Sequence, residues 1–291
     1  MADEHLARAY AFLARADMAG ERSESSPAGT AVFDDAVPRR LDSNFLRVER
    51  EADGRTVRTE AERLRRKMIY VPDSEHGERL APYFRERGWL VRRHVLMAQL
   101  RKPEREADLG LVQEVEEPAL RAARHRVVTG QPWAAPEIMA ELFAGKQLIG
   151  KRVRARYFAV VLDDEVVSYT DLYQDGPDAQ IEDVGTLHEH RKHGYASAVV
   201  LAAIATARAE GAEFVFLVAD LDDWPKELYR RLGFDELALA NLQIDPCERL
   251  NPAVALREAA NGQSPGHYWQ AYVWGAINLT KYPSSSKPRR R

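Results

Sequence analysis

One stretch of the chain, residues 179–207, restricts the fold more than any other part of the sequence. It opens with a run ending in Val184-Gly185-Thr186 that predicts a strand. Residues 191–196 then predict a tight turn around Gly194, and an alanine-rich pattern predicts a helix directly afterwards. The first N–H groups of a helix have no partner within the helix, and the helix dipole is positive at this end. Residues 191–196 are therefore a candidate phosphate-binding turn, with an ordinary strand-to-helix connection as the alternative.

Length and composition limit the number of domains, the class of protein and its partners. The 291 residues suffice for two modest domains, and a content of 45% hydrophobic and 30% charged residues is typical of a soluble globular protein. The net charge of −3 gives no general reason to expect nucleic acid or a membrane as a partner. Charges interrupt the apolar positions of residues 3–22, which argues against a signal peptide. Cys247 is the single cysteine, which excludes an intrachain disulfide and a cysteine-rich metal site, and we expect the cytoplasm.

The first half of the chain has the patterns of a small α/β unit. Residues 3–18, 57–66 and 75–87 have helical periodicity, and residues 23–29 have the composition of a loop. Short apolar runs predict strands at residues 31–33, 45–48, 68–71 and 89–97. The polar residues 101–107, with Pro103, are the predicted linker.

The second half predicts a longer alternation of the same elements. Strands are expected near residues 109–115, 157–162, 166–172, 214–218 and 234–240, and helices after Glu117 and from Pro136 to about Ile149. The run Phe214–Val218 is apolar throughout, which is typical of a strand buried on both faces. Pro225 predicts the start of a helix that ends at Gly233.

Two motifs in this half resemble the GNAT superfamily of acyl-CoA-dependent N-acetyltransferases. The first is a strand ending in V-x-T, followed by R-x-x-G-x-[GA] and a helix, here Val184 to Thr186 and Arg191 to Ala196. The second is a helix that ends in L-Y-x-x-x-G-F, here Leu228-Tyr229-Arg230-Arg231-Leu232-Gly233-Phe234. The order and spacing of the two motifs are more specific than either alone. The resemblance covers about residues 107–240 and implies a twisted mixed α/β sheet flanked by helices.

The resemblance also implies an acyl donor, acetyl-CoA, and a set of residues that hold it. In that family the glycine turn binds the pyrophosphate through backbone amides, and the strand before it splays from its neighbour to admit the pantetheine arm. The tyrosine of the second motif commonly protonates the departing thiolate, which assigns Tyr229 as the general acid; a core tyrosine is the alternative. The cofactor-binding residues implied in this way are Val184, Thr186, Leu187, Arg191, Lys192, His193, Gly194, Tyr195, Ala196 and Asp222.

Three positions near these motifs carry open alternatives. Glu182 is the candidate general base, because period 2 places it on the same strand face as Val184, but it could instead hydrogen-bond a neighbouring loop. Asp222 stands where the family often has an Asn that contacts the cofactor. Because a carboxylate cannot donate a hydrogen bond, Asp222 cannot replace the amide donor in that contact. His188, His190 and His193 lie close together, yet they lack helical ligand spacing, so we expect no metal.

The acceptor side is expected at the loop Thr129–Trp133, where Trp133 could line an acceptor pocket or anchor the loop to the core. The family varies most in this loop, so the identity of the amine does not follow. A basic end, Pro283–Arg291, has the composition of a disordered tail, for which nucleic-acid binding is a weak alternative.

The first half contains an echo of the second motif. Leu80 to Trp89 matches Leu228 to Phe234 in its aromatic pair and glycine, which suggests a degenerate repeat of the fold or of its C-terminal half. No glycine turn precedes it, so we expect no second cofactor there. The predicted division is residues 1–102, 107–240 and an irregular extension 241–291. The strand that usually closes the sheet in this family is hard to locate in the sequence, and either the extension or a partner chain could supply it.

The sequence thus leads to two hypotheses. The first is an acetyl-CoA-dependent N-acetyltransferase acting directly on an amine of a small molecule or peptide, with a homodimer as a possible assembly. The second is a non-catalytic acyl-CoA-binding regulatory module with the same fold.

Overall fold

The computed structural model describes residues 2–16, 18–128 and 136–245. Its helices are α1 (Ala2–Arg15), α2 (Gly54–Arg63), α3 (Ser74–Arg85), α4 (Glu117–Val128), α5 (Pro136–Arg152), α6 (Tyr195–Ala209) and α7 (Pro225–Arg231). Its strands are β1 (Arg22–Ser26), β2 (Gly29–Phe33), β3 (Phe45–Val48), β4 (Met68–Val71), β5 (Leu90–Gln99), β6 (Val112–Val115), β7 (Arg154–Leu162), β8 (Glu165–Asp175), β9 (Asp178–Thr186), β10 (Phe214–Asp220) and β11 (Phe234–Ile244). The predicted mixed α/β class is confirmed.

All these strands form one mixed sheet in the order β1-β2-β3-β4-β11-β5-β10-β9-β8-β7-β6. Two neighbouring pairs, β3 with β4 and β9 with β10, are parallel, and the other pairs are antiparallel. Every residue of β10 is buried, as its unbroken apolar run predicts.

Helices cover both faces of the sheet because the central strands bury alternate side chains on each. Phe214 and Phe216 pack in one core cluster with α1 and with Ile149 of α5, and Phe12 of α1 meets the Phe216 ring edge-on at 5.4 Å. Val215 and Leu217 face the opposite side, where they pack with α6 and α7. The same side of the first half is covered by α2 and α3.

The two halves repeat one order of elements. The series β1-β2-β3-α2-β4-α3-β5 in the first half corresponds to β7-β8-β9-α6-β10-α7-β11 in the second, with the same parallel pair at its centre. The degenerate repeat that the sequence echo predicts is therefore present, and it extends beyond the C-terminal half of the fold. The second half alone has α4 and α5 before its first hairpin.

The repeats exchange strands at their junction. β5 follows α3 in the chain but pairs with β10, where Asp220 lies opposite His94, and β11 follows α7 but pairs with β4, where Val71 lies opposite Asn241. β5 and β11 also pair with each other. Among the described residues, β5 of the first half lies between β10 and β11 of the second. The predicted contribution of the tail to a closing strand concerns residues 246–291, which lie outside the described residues.

Three local expectations need correction. Residues 22–26 form β1 rather than a loop, since they pair with β2, and residues 109–111 form a short 3-10 turn that precedes β6 rather than part of the strand. β11 continues through Ile244, past the predicted limit at residue 240. The division into domains remains an interpretation. No helix in the described ranges is long and apolar enough to cross a membrane.

Candidate functional site

The glycine turn leaves the N-terminus of α6 open to solvent. A 3-10 turn at residues 188–190 follows β9, and the chain then reverses through two residues with positive φ, Lys192 at 68° and Gly194 at 84°. A Cβ added at Gly194 would meet nothing within 4 Å, so the backbone there is accessible. Because the first N–H groups of α6 have no intrahelical partner, they are available to an anion at this point.

Beside this turn the sheet is split. β9 and β10 pair only where Asp178–Gln180 lies opposite Phe214–Phe216, although β9 continues to Thr186 and β10 to Asp220. A β-bulge interrupts β9 at the same level: Asp183 has φ 53°, and the register with β8 shifts there. A bulge bends a strand and increases its twist, which here accompanies the separation of the two parallel strands.

A cleft of about 1110 Å³ lies between the end of β9, the glycine turn, α6, α7 and the segment that precedes β6. That volume is slightly above the range of about 300–1,000 Å³ that is typical of small-molecule sites. Among the predicted cofactor residues, the cleft is lined by Val184, Thr186, Arg191, Lys192, His193, Gly194, Tyr195 and Ala196. The exposed turn, the orphan amides and the volume of the cleft fit a large phosphate-bearing ligand.

Tyr229 reaches the same cleft from α7. Its side chain is 3% exposed, and its hydroxyl has no hydrogen-bond partner among the described residues. Burial, followed by the nearby carboxylates of Glu182, Asp223 and Asp183, raises the pKa of Tyr229 well above its ordinary value. The hydroxyl therefore stays protonated at neutral pH and is free to donate to a ligand.

Behind the bulge lies a buried ionic cluster. The Arg124 side chain, 2% exposed, donates from Nε to Asp183 at 2.7 Å and also bonds Asp171 and Glu117. Lys146 Nζ lies 3.0 Å from Asp171 and 3.4 Å from Asp183. Burial raises the pKa of Asp183 despite the opposing effect of Lys146 and Arg124. The cluster fixes the bulge residue from three elements, since α4, α5 and β8 each contribute a side chain.

The bulge overturns the predicted orientation of Glu182. Ile181 and Val184 pack in the same core cluster although they are three residues apart, so the period of two is broken between them. Glu182 accordingly faces away from Val184. It is 4% exposed, lies outside the lining of the cleft, and accepts a hydrogen bond of 2.9 Å from Gln180 Nε2.

Two predicted cofactor residues also lie outside the cleft lining. Leu187 is buried against α4, and its backbone is already used, because its N–H donates to Val167 and its carbonyl accepts from His190 N–H. Asp222 is turned toward β5, where Arg93 donates to its carboxylate. Trp133, with its loop, lies outside the described residues.

Several lining residues were not among the predicted site residues. Pro225, Leu228 and Leu232 face the cleft together with the predicted Tyr229, and the four have the i, i+3, i+4, i+7 spacing of one helix face, a signal that was available. Trp224, 53% exposed, and Arg231 complete that side. The linker residues Arg105 to Asp108 also line the cleft, and no local sequence pattern predicts this position.

The three histidines near the turn all border the cleft, and the His193 ring stacks on Tyr195 with centroids 5.6 Å apart. Within the described residues, no group of three His, Cys, Asp or Glu side chains is placed to hold a metal ion.

The first repeat differs at each equivalent position. Its β3-to-α2 turn has no open amide site, because the Asp53 carboxylate itself accepts from Thr56 N–H at 2.8 Å. Aligned on Gly88 and Gly233, Phe84 takes the place of Tyr229. Phe84 packs against Trp89 at 4.9 Å, much as Tyr229 packs against Phe234 at 6.1 Å. The aromatic packing is thus kept in both repeats, and the hydroxyl occurs in the second alone.

Comparison with known proteins agrees with this geometry. The family model of the acetyltransferase (GNAT) family matches residues 122–234. A structure of a conserved protein of unknown function from Staphylococcus epidermidis aligns over 78% of this chain and 94% of its own, with a TM-score of 0.60 and 15% identity. A GCN5-related N-acetyltransferase from Kribbella flavida aligns over 84% and 95%, with a TM-score of 0.52 and 18% identity.

At these identities the structural matches support the fold alone. No curated protein matches the sequence significantly. The resemblance inferred from the two motifs is confirmed, because residues 122–234 of this chain match the acetyltransferase (GNAT) family.

Proposed function

We propose that this protein is an N-acetyltransferase that uses acetyl-CoA and transfers the acetyl group directly to an amine of a small molecule or peptide. The observation that carries the proposal is the split between β9 and β10, which has an open helix N-terminus at its mouth and an unbonded tyrosine hydroxyl along its wall. A phosphate-bearing thioester and a proton donor for sulfur are what this arrangement accommodates.

The turn binds the donor. The N–H groups near Gly194 and the dipole of α6 favour the pyrophosphate, and Lys192 adds a positive charge. Val184 and Thr186 border the cleft, so their strand would hold the pantetheine arm. Acetyl-CoA supplies the thioester carbonyl carbon that the amine attacks.

Tyr229 provides the proton at the end of the transfer. The step breaks a carbon–sulfur bond, and the thiolate that leaves is stabilised when a hydroxyl donates its proton to sulfur. A tyrosine whose pKa is raised by burial and by carboxylates holds that proton until it is needed. Glu182 lies outside the cleft lining but near enough to Tyr229 to contribute to that raised pKa, so a water bridge is needed for it to receive the amine proton, and it is our candidate for that role. The proton that Tyr229 gives to sulfur is replaced by the one that Glu182 has received.

The test is release of free thiol from acetyl-CoA in the presence of amines of different classes. We expect turnover with at least one class, and we expect Tyr229→Phe to lower kcat by about 10²-fold or more with little change in acetyl-CoA affinity. The variant is structurally conservative, because Phe84 already fills the equivalent position in the first repeat. Tyr83→Phe, outside the cleft, is the matched control.

The outcome also decides between enzyme and regulatory module. If acetyl-CoA binds but every amine class leaves thiol release at background, the chain is an acyl-CoA-binding module and the proposal is wrong. If an amine is acetylated and Tyr229→Phe turns over at the wild-type rate, the acetyltransferase stands but the assignment of Tyr229 is refuted.

A further inference from the structure

The segment that joins the two repeats forms the outer wall of the cleft. Its start is fixed at the C-terminal end of α7, where Glu104 N–H donates to the Arg231 carbonyl at 2.8 Å. Its end is the 3-10 turn Leu109–Leu111, which contacts α6. Residues 105–108 therefore pass from one helix to the other across the mouth of the cleft.

Three cations on this cleft have no carboxylate partner among the described residues: Arg105, Lys192 and Arg231. Arg231 makes a single hydrogen bond, from Nε to the Glu227 carbonyl at 3.3 Å. Its neighbour Arg230, which does not line the cleft, pairs with both Glu227 and Glu236. Carboxylates therefore neutralise Arg230, whereas Arg231, which faces the cleft, has no carboxylate partner among the described residues.

These cations fall into two groups. Lys192 belongs to the glycine turn at the N-terminus of α6. Arg105 and Arg231 both border the cleft near the C-terminal end of α7, where the residue before Arg105 hydrogen-bonds the Arg231 backbone. The open amides near Gly194 suffice for one pyrophosphate, so the second group is available to a separate anion.

We propose that Arg105 and Arg231 bind the 3′-phosphate of coenzyme A. The inference rests on the proposed function and adds a residue from the inter-repeat segment to the donor site. Coenzyme A carries a phosphate on the ribose in addition to its pyrophosphate, and guanidinium groups match phosphate oxygens through paired hydrogen bonds.

Two carboxylates of the same segment also line the cleft. Asp108 accepts from Gly110 N–H at 3.0 Å and thereby shapes the segment. Glu106 has no hydrogen-bond or ion-pair partner among the described residues, so its charge opposes an incoming phosphate. The proposal therefore predicts that Glu106→Gln binds coenzyme A more tightly than the wild type.

The test compares coenzyme A with dephospho-coenzyme A, which lacks the 3′-phosphate, by isothermal titration calorimetry on the full chain. We expect Arg105→Ala and Arg231→Ala each to weaken coenzyme A binding about tenfold, the size expected for a lost charged hydrogen bond, and to leave dephospho-coenzyme A unchanged. Lys102→Ala, an exposed cation of the same segment that does not line the cleft, is the control and should affect neither ligand.

The outcomes separate this inference from the function on which it rests. Equal wild-type affinity for the two ligands, or an equal loss of both in the arginine variants, overturns the 3′-phosphate site while leaving the acetyltransferase proposal intact. A wild-type chain that binds neither ligand overturns both. Thermal unfolding of each variant identifies any loss that comes from misfolding.

Discussion

His94 offers a quantitative test of how the two repeats are joined. It lies on β5, opposite Asp220 of β10 and Ala240 of β11, where the exchanged strands meet. The residue is 6% exposed, and burial, assisted by Arg92, lowers the pKa of His94 from 6.5 to about 3. The folded protein therefore holds this imidazole neutral over a range in which the unfolded chain protonates it.

The pKa difference sets the direction and size of a stability change. Between about pH 6.5 and pH 3 the unfolded chain binds the extra proton, so the free energy of unfolding falls as the pH falls. At pH 5, about 1.5 pH units below the ordinary pKa, His94 lowers the stability by about 2 kcal/mol, whereas at pH 7 its effect is close to zero.

Urea unfolding at pH 7 and pH 5 measures this term when the wild type is compared with His94→Gln, which cannot titrate. The other histidines and the carboxylates are common to both proteins, so their contributions cancel. We expect the wild type to lose about 2 kcal/mol more than the variant between the two pH values. The same pH dependence in both proteins would refute the buried, neutral state of His94 and the strand exchange that encloses it.

Three further outcomes follow from the site. Arg124→Met leaves Asp171 and Asp183 without their buried partner and should cost about 3–5 kcal/mol in urea unfolding, whereas the exposed Arg126→Met should cost less than about 1 kcal/mol; equal costs would contradict the cluster. Gly194→Val, at φ 84°, should weaken acetyl-CoA binding at least about tenfold in calorimetry, and unchanged affinity would remove the turn from the site. Trp224 is exposed on the cleft, so the change in tryptophan fluorescence that acetyl-CoA causes should disappear in Trp224→Phe; an undiminished change would show that another tryptophan reports binding.

Local patterns were enough to predict much of the second half. The glycine at residue 194, the buried run Phe214–Val218 and the tyrosine helix each carry a short-range signal, and together they located the cleft, with eight of the predicted lining residues in place. The echo around Leu80 to Trp89 also predicted the repeat, because a helix that ends at a glycine between two strands has the same pattern in both halves.

Local patterns could not predict which strands pair when they are far apart in the chain. Nothing in the sequence of β5 indicates that it pairs with β10 rather than β4, since either place buries the same residues. The bulge at Asp183 reversed the predicted orientation of Glu182, because one extra residue in a strand changes the face of everything before it. Asp222 and Leu187 lie outside the cleft lining for a similar reason: their hydrogen-bond partners, Arg93 and Val167, lie on other strands, which local patterns do not identify.

We propose a single donor site in this protein, at the turn of the second repeat. Titration of the full-length chain with acetyl-CoA tests it most directly, because calorimetry gives the number of sites. We predict one acetyl-CoA per chain, lost or strongly weakened in Gly194→Val and retained in Asp53→Asn, whose side chain can still cap α2 of the first repeat. A stoichiometry of zero or of two, or a single site that survives Gly194→Val, would contradict the account.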